Sequence, residues 1–191
     1  MTEVHNRRLT MLTIYVSPRN QKIITADGQT MTVKGVFVRE EGGFVSLQDY
    51  KPPDNLSDVE IVFAKRLWLR RFKLPENLKL AILHFLRTYH AKQDISFDCY
   101  AFANMVEGLE IHKVPLMLKF WRLTKRPWLI PVGSTVFFCS YGNHFHHAAI
   151  FVGSGLFISV YGAGGDLEVA TLKNMRRDYK AKSTLLAMPK T

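Results

Sequence analysis

An α+β fold is what this sequence predicts, and three stretches predict it. Residues 9 to 50 carry short apolar runs broken by turn residues, as strands do. Leu78, Ile82, Phe85, Leu86 and Tyr89 then recur at helical spacing. From Pro131 onward, short apolar runs alternate with tight turns, which reads as an antiparallel meander. Strands, then helices, then a meander is a segregated order, unlike the regular alternation of an α/β chain.

Composition narrows the class. The 191 residues suffice for one domain with a proper core, or a core plus a small extension. Hydrophobic residues make up 47% and charged residues 22%, which excludes a disordered chain. The net charge of +10 predicts attraction to polyanions: nucleic acid, anionic lipid or an acidic cell-wall polymer. Met1 to Arg8 leads into a mixed stretch with no apolar run and no small-residue cleavage site. No run approaches 18 apolar residues, so no transmembrane segment is expected. The expectation is a protein made in the cytoplasm that works there or leaves by a signal-independent route.

In the first strand region, Leu9–Val16 is strand-like and should stop at Ser17-Pro18. Thr30–Val38 is a second strand, and Glu40-Glu41-Gly42-Gly43 turns it into Phe44–Leu47 as a hairpin. Lys51-Pro52-Pro53-Asp54-Asn55 is a break. It divides a β-rich extension, residues 1–55, from a main domain, residues 56–191. Val59–Phe63 suits a strand. Lys65 to Lys73 interleaves basic and apolar residues, including Trp68. That mixture suits nucleic acid or anionic lipid, but no binding motif accompanies it, so an amphipathic element with a solvated basic face is favoured.

Pro75 opens a helix, as proline suits the first turn. A second helix is expected over Asp98–Glu107, capped by Asp98 or Ser96 and ended by Gly108. Residues 112 to 128 are apolar and basic by turns. Strands follow over Val136–Ser140, His147–Val152, Leu156–Tyr161 and Leu167–Ala170, then a short helix over Leu172–Lys182.

The chemistry concentrates in two segments. Phe97-Asp98-Cys99-Tyr100-Ala101 places a cysteine in the first turn of a helix, where unpaired N–H groups favour an anion. His147-Ala148-Ala149-Ile150 places an imidazole at the mouth of a strand. Together they suit a thiolate nucleophile with a general base. Cys139 sits in an apolar strand and reads as a small hydrophobe. Both thiols are expected to be free, since a bridge would disable Cys99.

The order of these segments resembles a known family. Asp98-Cys99, then Pro131-Val132-Gly133-Ser134-Thr135-Val136-Phe137-Phe138, then His147-Ala148-Ala149-Ile150-Phe151-Val152-Gly153, then Gly155-Leu156-Phe157-Ile158 is similar to the NlpC-type cell-wall cysteine peptidases. These are a compact branch of the papain-like fold, a nucleophile helix packed on an antiparallel sheet. The resemblance covers about residues 78 to 182. It departs at Cys99-Tyr100-Ala101, where the family has Cys-Ser-Gly, and before the cysteine, where only Tyr89-His90 stands near the family's aromatic-glycine stretch.

The resemblance implies a peptidase or amidase acting on peptidoglycan stem peptides or another peptide, with Cys99 as nucleophile, His147 as base and Ser159 as the third polar residue. Asp98, Tyr100, Tyr89, His146 and Tyr161 are the implied substrate-side residues. No cofactor is implied, and nucleic acid is not favoured. An inhibitor, immunity or delivery protein is an implied partner, as for a secreted effector. Other readings stand beside it: a papain-like protease or acyltransferase on a protein or lipid, or a degenerate polyanion-binding domain. His146 and His147 point to opposite faces of a strand, so one of them alone can serve Cys99. Tyr161 or Asn143 competes with Ser159 for the third place. His144, His146 and His147 raise a metal reading, yet lack a third converging ligand, so no metal is expected. Gly162–Gly165 lacks the lysine and helix of a phosphate loop and reads as a hairpin loop at a cleft rim.

Overall fold

The computed structural model describes residues 10–24, 30–40, 43–65, 68–90, 94–110, 121–123, 130–140 and 144–187. The chain is α+β, with two sheets and three helices among these residues.

The first sheet holds β1 (Thr10–Ile24), β2 (Thr30–Glu40), β3 (Gly43–Ser46), β4 (Leu56–Lys65) and β5 (Trp68–Phe72), in the order β3-β2-β1-β4-β5. β1 pairs antiparallel with β2 and parallel with β4. The register follows the apolar pattern: Ile14 stands opposite Val38 on one side and Ile61 on the other, and all three are buried. β1 runs past Ser17-Pro18, where a stop was expected. A register shift between Ser17 and Gln21 absorbs the proline, which has no N–H to give a regular ladder. β4 and β5 lie in the same sheet as the N-terminal strands, so the break at residues 51–55 is crossed by a connection inside one sheet.

α1 (Glu76–Thr88) follows Pro75, which is extended and sits just before the first helical residue. It buries Leu78, Ile82, Phe85 and Leu86, as their spacing predicts, and packs on β4. α2 (Cys99–Val106) packs against α1 and ends where Gly108 takes φ 69°.

The second sheet holds β6 (Trp121–Leu123), β7 (Thr135–Cys139), β8 (Phe145–Gly153), β9 (Leu156–Val160), β10 (Leu167–Thr171) and β11 (Ser183–Ala187). Its order is β10-β9-β8-β7-β11-β6, every neighbour antiparallel. β7 to β10 form the expected meander. α3 (Leu172–Asp178) then returns the chain so that β11 pairs with β7. β6 and β11 were not read from the sequence.

One large core joins the first sheet, α1, α2 and one face of the second sheet, with Ile14, Phe85, Phe102, Ile150 and Ile158 all buried in it. A smaller core under α3 gathers Phe138, Ala149, Phe151, Phe157 and Met175. Each large side chain among these contributes about 1.5–3 kcal/mol on burial. Among the described residues, no helix is long and apolar enough to cross a membrane.

Candidate active site

Cys99 is the first residue of α2, and Asp98 is its cap. Asp98 Oδ1 accepts hydrogen bonds from the N–H groups of Tyr100 and Ala101, each at 2.9 Å. The cap therefore uses two first-turn donors and leaves the Cys99 N–H to the site. Helix geometry accounts for an acid at this position.

The sulfur is reached from the second sheet. Pairing of β8 with β9 extends no further than Ile150 opposite Ile158. Beyond that point β8 pairs with β7 alone, and β9 with β10 alone. In this opening the Ala148 backbone N–H lies close to the Cys99 sulfur. It favours the thiolate, as do the nearby backbone N–H groups of Cys99 and Tyr100.

They do not prevail. Burial pushes the Cys99 thiol up to about 12, with the Asp98 carboxylate adding to the rise. The helix-terminus argument from sequence is right in sign but smaller than desolvation. Cys139 is pushed up to about 11 by burial alone. Both thiols are free and buried.

His147 is the buried histidine of the pair at the start of β8, and His146 is exposed. The strand alternation sends the two side chains to opposite faces of β8. His147 Nε2 lies 2.7 Å from Ser159 Oγ, and both residues are fully buried. Nδ1 is buried with no hydrogen-bond partner among the described residues. Burial pushes the imidazole pKa down to about 3, so the ring is neutral at rest. The resting state is a neutral thiol beside a strand that carries a neutral imidazole.

The remaining candidates fall in three places. Tyr161 meets the His147 ring edge-on at 5.5 Å and donates its hydroxyl to Met175 Sδ at 3.3 Å. Tyr100 stacks on Phe137, 6.4 Å away, on the large-core side of the sheet. Tyr89 stacks on Phe97 at 3.8 Å, two residues before Cys99. Asn143 lies outside the described residues. His144 and His146 are exposed whereas His147 is buried, and no cluster of three metal-ligating side chains forms among the described residues.

A cleft of about 650 Å³ opens beside Phe97, lined by Tyr89, Ile95, Gln48 and the loop from Ala163 to Asp166. The Gly164 N–H donates to the Phe97 carbonyl at 2.9 Å, which fixes this loop against the chain just before α2. A Cβ on Gly165 would lie 1.8 Å from the Tyr161 carbonyl oxygen, so the loop closes only with glycine there. It joins antiparallel β9 to β10, the hairpin loop its sequence predicts. Gln48 brings the first sheet to the same cleft, a contribution the sequence did not signal.

Tyr179 was also missed. It follows α3 and stacks on His147 with 3.7 Å between ring centroids and 9° between planes. No local motif announces it, since chain return through α3 delivers it. A comparison with known protein families finds no matching family model, and a comparison with curated proteins finds no match.

Proposed function

We propose that the chain is a papain-like cysteine hydrolase of the NlpC type, cutting amide bonds in peptides such as peptidoglycan stem peptides. One observation supports this above the others. The sulfur of Cys99 and the backbone of residue 148 meet at a helix start, while the adjoining His147 is held by Ser159 through one ring nitrogen and keeps the other unpartnered. A general base needs that arrangement.

Since burial disfavours either charge alone, the thiol proton passes to His147 Nδ1 as the sulfur attacks the carbonyl, not beforehand. The useful tautomer carries its resting proton on Nε2 and donates it to Ser159 Oγ. The Cys99 N–H faces the developing oxyanion. His147 then protonates the leaving amine, and water hydrolyses the thioester. The net charge of +10 favours approach to an acidic polymer.

The experiment is digestion of peptidoglycan sacculi by the protein and its Cys99→Ala variant, with soluble products identified by mass spectrometry. Stem-peptide fragments should be released by the parent and fall at least about a thousandfold in the variant. Equal release by both would end the reading. A second reading, a binding domain without catalysis, is favoured by the thiol at about 12. It predicts no release and a Cys99 that iodoacetamide alkylates sluggishly. Fast alkylation without release would redirect the search to protein or lipid substrates.

A further inference from the structure

His147 is constrained by contacts that restrict different motions. The Ser159 bond fixes the direction of one ring edge. It leaves the ring free to tilt about that bond. The parallel Tyr179 ring removes this freedom, because a stacked neighbour at 3.7 Å admits one plane only. Tyr161 stands edge-on to the same imidazole and 5.3 Å from Tyr179, closing a further side.

Tyr179 is held where it is by its own backbone. It is the C-cap of α3. The Lys180 N–H bonds to the Arg177 carbonyl at 3.2 Å, and the Ala181 N–H to the Arg176 carbonyl at 2.9 Å. This is the paired bonding of a Schellman stop. Glycine usually occupies its left-handed position, yet Lys180 does so here with φ 48°. The helix therefore halts where it presents Tyr179 to His147, at some conformational cost. The Tyr179 hydroxyl lies beside the Gly162 backbone, in the loop whose Gly164 N–H bonds to the Phe97 carbonyl. One side chain thus stands between the imidazole and the loop that is bonded to Phe97.

We infer that Tyr179 is a positioning residue for His147, holding the ring plane so that Nε2 stays on Ser159 and Nδ1 remains the edge offered to Cys99. The inference rests on the proposed catalytic role of His147. The titratable and charged groups around this cluster are Asp98, Cys99 and Tyr100 of α2, Tyr161 after β9, Glu168 of β10, and Arg177 and Asp178 of α3. Tyr179→Phe and Tyr179→Leu alter none of these groups except the Tyr179 hydroxyl.

The test is nitrogen NMR of the His147 imidazole across pH in the full chain, in Tyr179→Phe, Tyr179→Leu and Tyr161→Leu. The parent and the Phe variant should show one neutral Nε2–H tautomer that does not titrate from about pH 5 to 8. Tyr179→Leu should mix the tautomers and raise the imidazole pKa by about one unit or more, a tenfold change in protonation. Should Leu fail to fold, Tyr179→Met fills the space without a flat face and carries the same expectation. An unchanged tautomer and titration in a folded Leu or Met variant overturns the inference, as does an equal change in Tyr161→Leu. These readouts need no turnover. A parent inactive on sacculi but showing the expected shifts would sink the proposed function and support the role of Tyr179.

Discussion

The two faces of the second sheet do different jobs, and β8 shows it residue by residue. Ala148, Ile150 and Val152 point into the large core shared with α1, α2 and the first sheet. Ala149 and Phe151 point into the small core under α3, and His147 lies on that side among Phe138, Tyr161 and Tyr179. β9 repeats the division, with Ile158 and Val160 on one face and Phe157 and Ser159 on the other. The large-core face of these strands is apolar. The polar pair sits on the thinner face, covered by a seven-residue helix and two tyrosines. Cys99 comes from the opposite side and reaches the ladder opening at Ala148. A thick core gives rigidity, and the thin side leaves the polar pair under a short helix and two aromatic rings.

The largest test of this division compares Phe102→Ala with Phe157→Ala. Both side chains are fully buried, one in each core. Each truncation should cost about 3–5 kcal/mol in urea denaturation. Only Phe157→Ala should disturb the His147 imidazole signals, because Phe157 packs against Phe138, which touches that ring. Equal disturbance from Phe102→Ala would dissolve the distinction between the faces.

A smaller effect follows from burying a neutral histidine on the thin face. The His147 pKa is pushed from 6.5 down to about 3 in the folded chain. The unfolded chain therefore binds the proton first. Stability is complete above the unfolded pKa and declines as pH falls from there toward the folded value, by about 1.4 kcal/mol per pH unit. His147→Gln should remove that share of the acid dependence. Denaturant midpoints between about pH 7 and 4 measure it, and parallel curves for parent and variant would refute it. On the alkaline side the sign reverses. Cys99 and Cys139 favour the neutral thiol, so their contribution fades as pH climbs from 9.0 toward about 12 and 11.

Much of this was legible because the deciding interactions are local. The spacing of Leu78, Ile82, Phe85 and Leu86 dictates α1, and Asp98 before Cys99 dictates a capped α2. The meander β7 to β10 was visible in its turns. Period two separated buried His147 from exposed His146. What was hidden depends on distant pairing. β11 is five residues long and acquires its place by pairing with β7. Leu56–Phe72 looked like the start of a new unit because a proline break precedes it, yet β4 aligns in parallel with β1. Tyr179 reaches His147 only because α3 stops where it does. The depth of Cys99 was hidden for the same reason: a first-turn cysteine reads as activated until the sheet that covers it is known.

That last point yields the smallest and sharpest prediction. Asp98 exerts two effects that differ in kind. Its oxygen caps α2 through the Tyr100 and Ala101 N–H groups, and its charge lifts the Cys99 thiol. Asp98→Asn separates them, since asparagine caps about as well but carries no charge. The thiol pKa should fall, and iodoacetamide should alkylate Cys99 about threefold faster near pH 8, from the larger thiolate fraction. The melting temperature should drop only slightly, by the lost attraction between a carboxylate and the helix N-terminus, about 0.3–1 kcal/mol. A Cys139→Ser background keeps the second thiol out of the measurement. A slower rate would mean that the cap geometry, not the charge, governs the sulfur, and Asp98 would then hold the site together from the large-core side without tuning it.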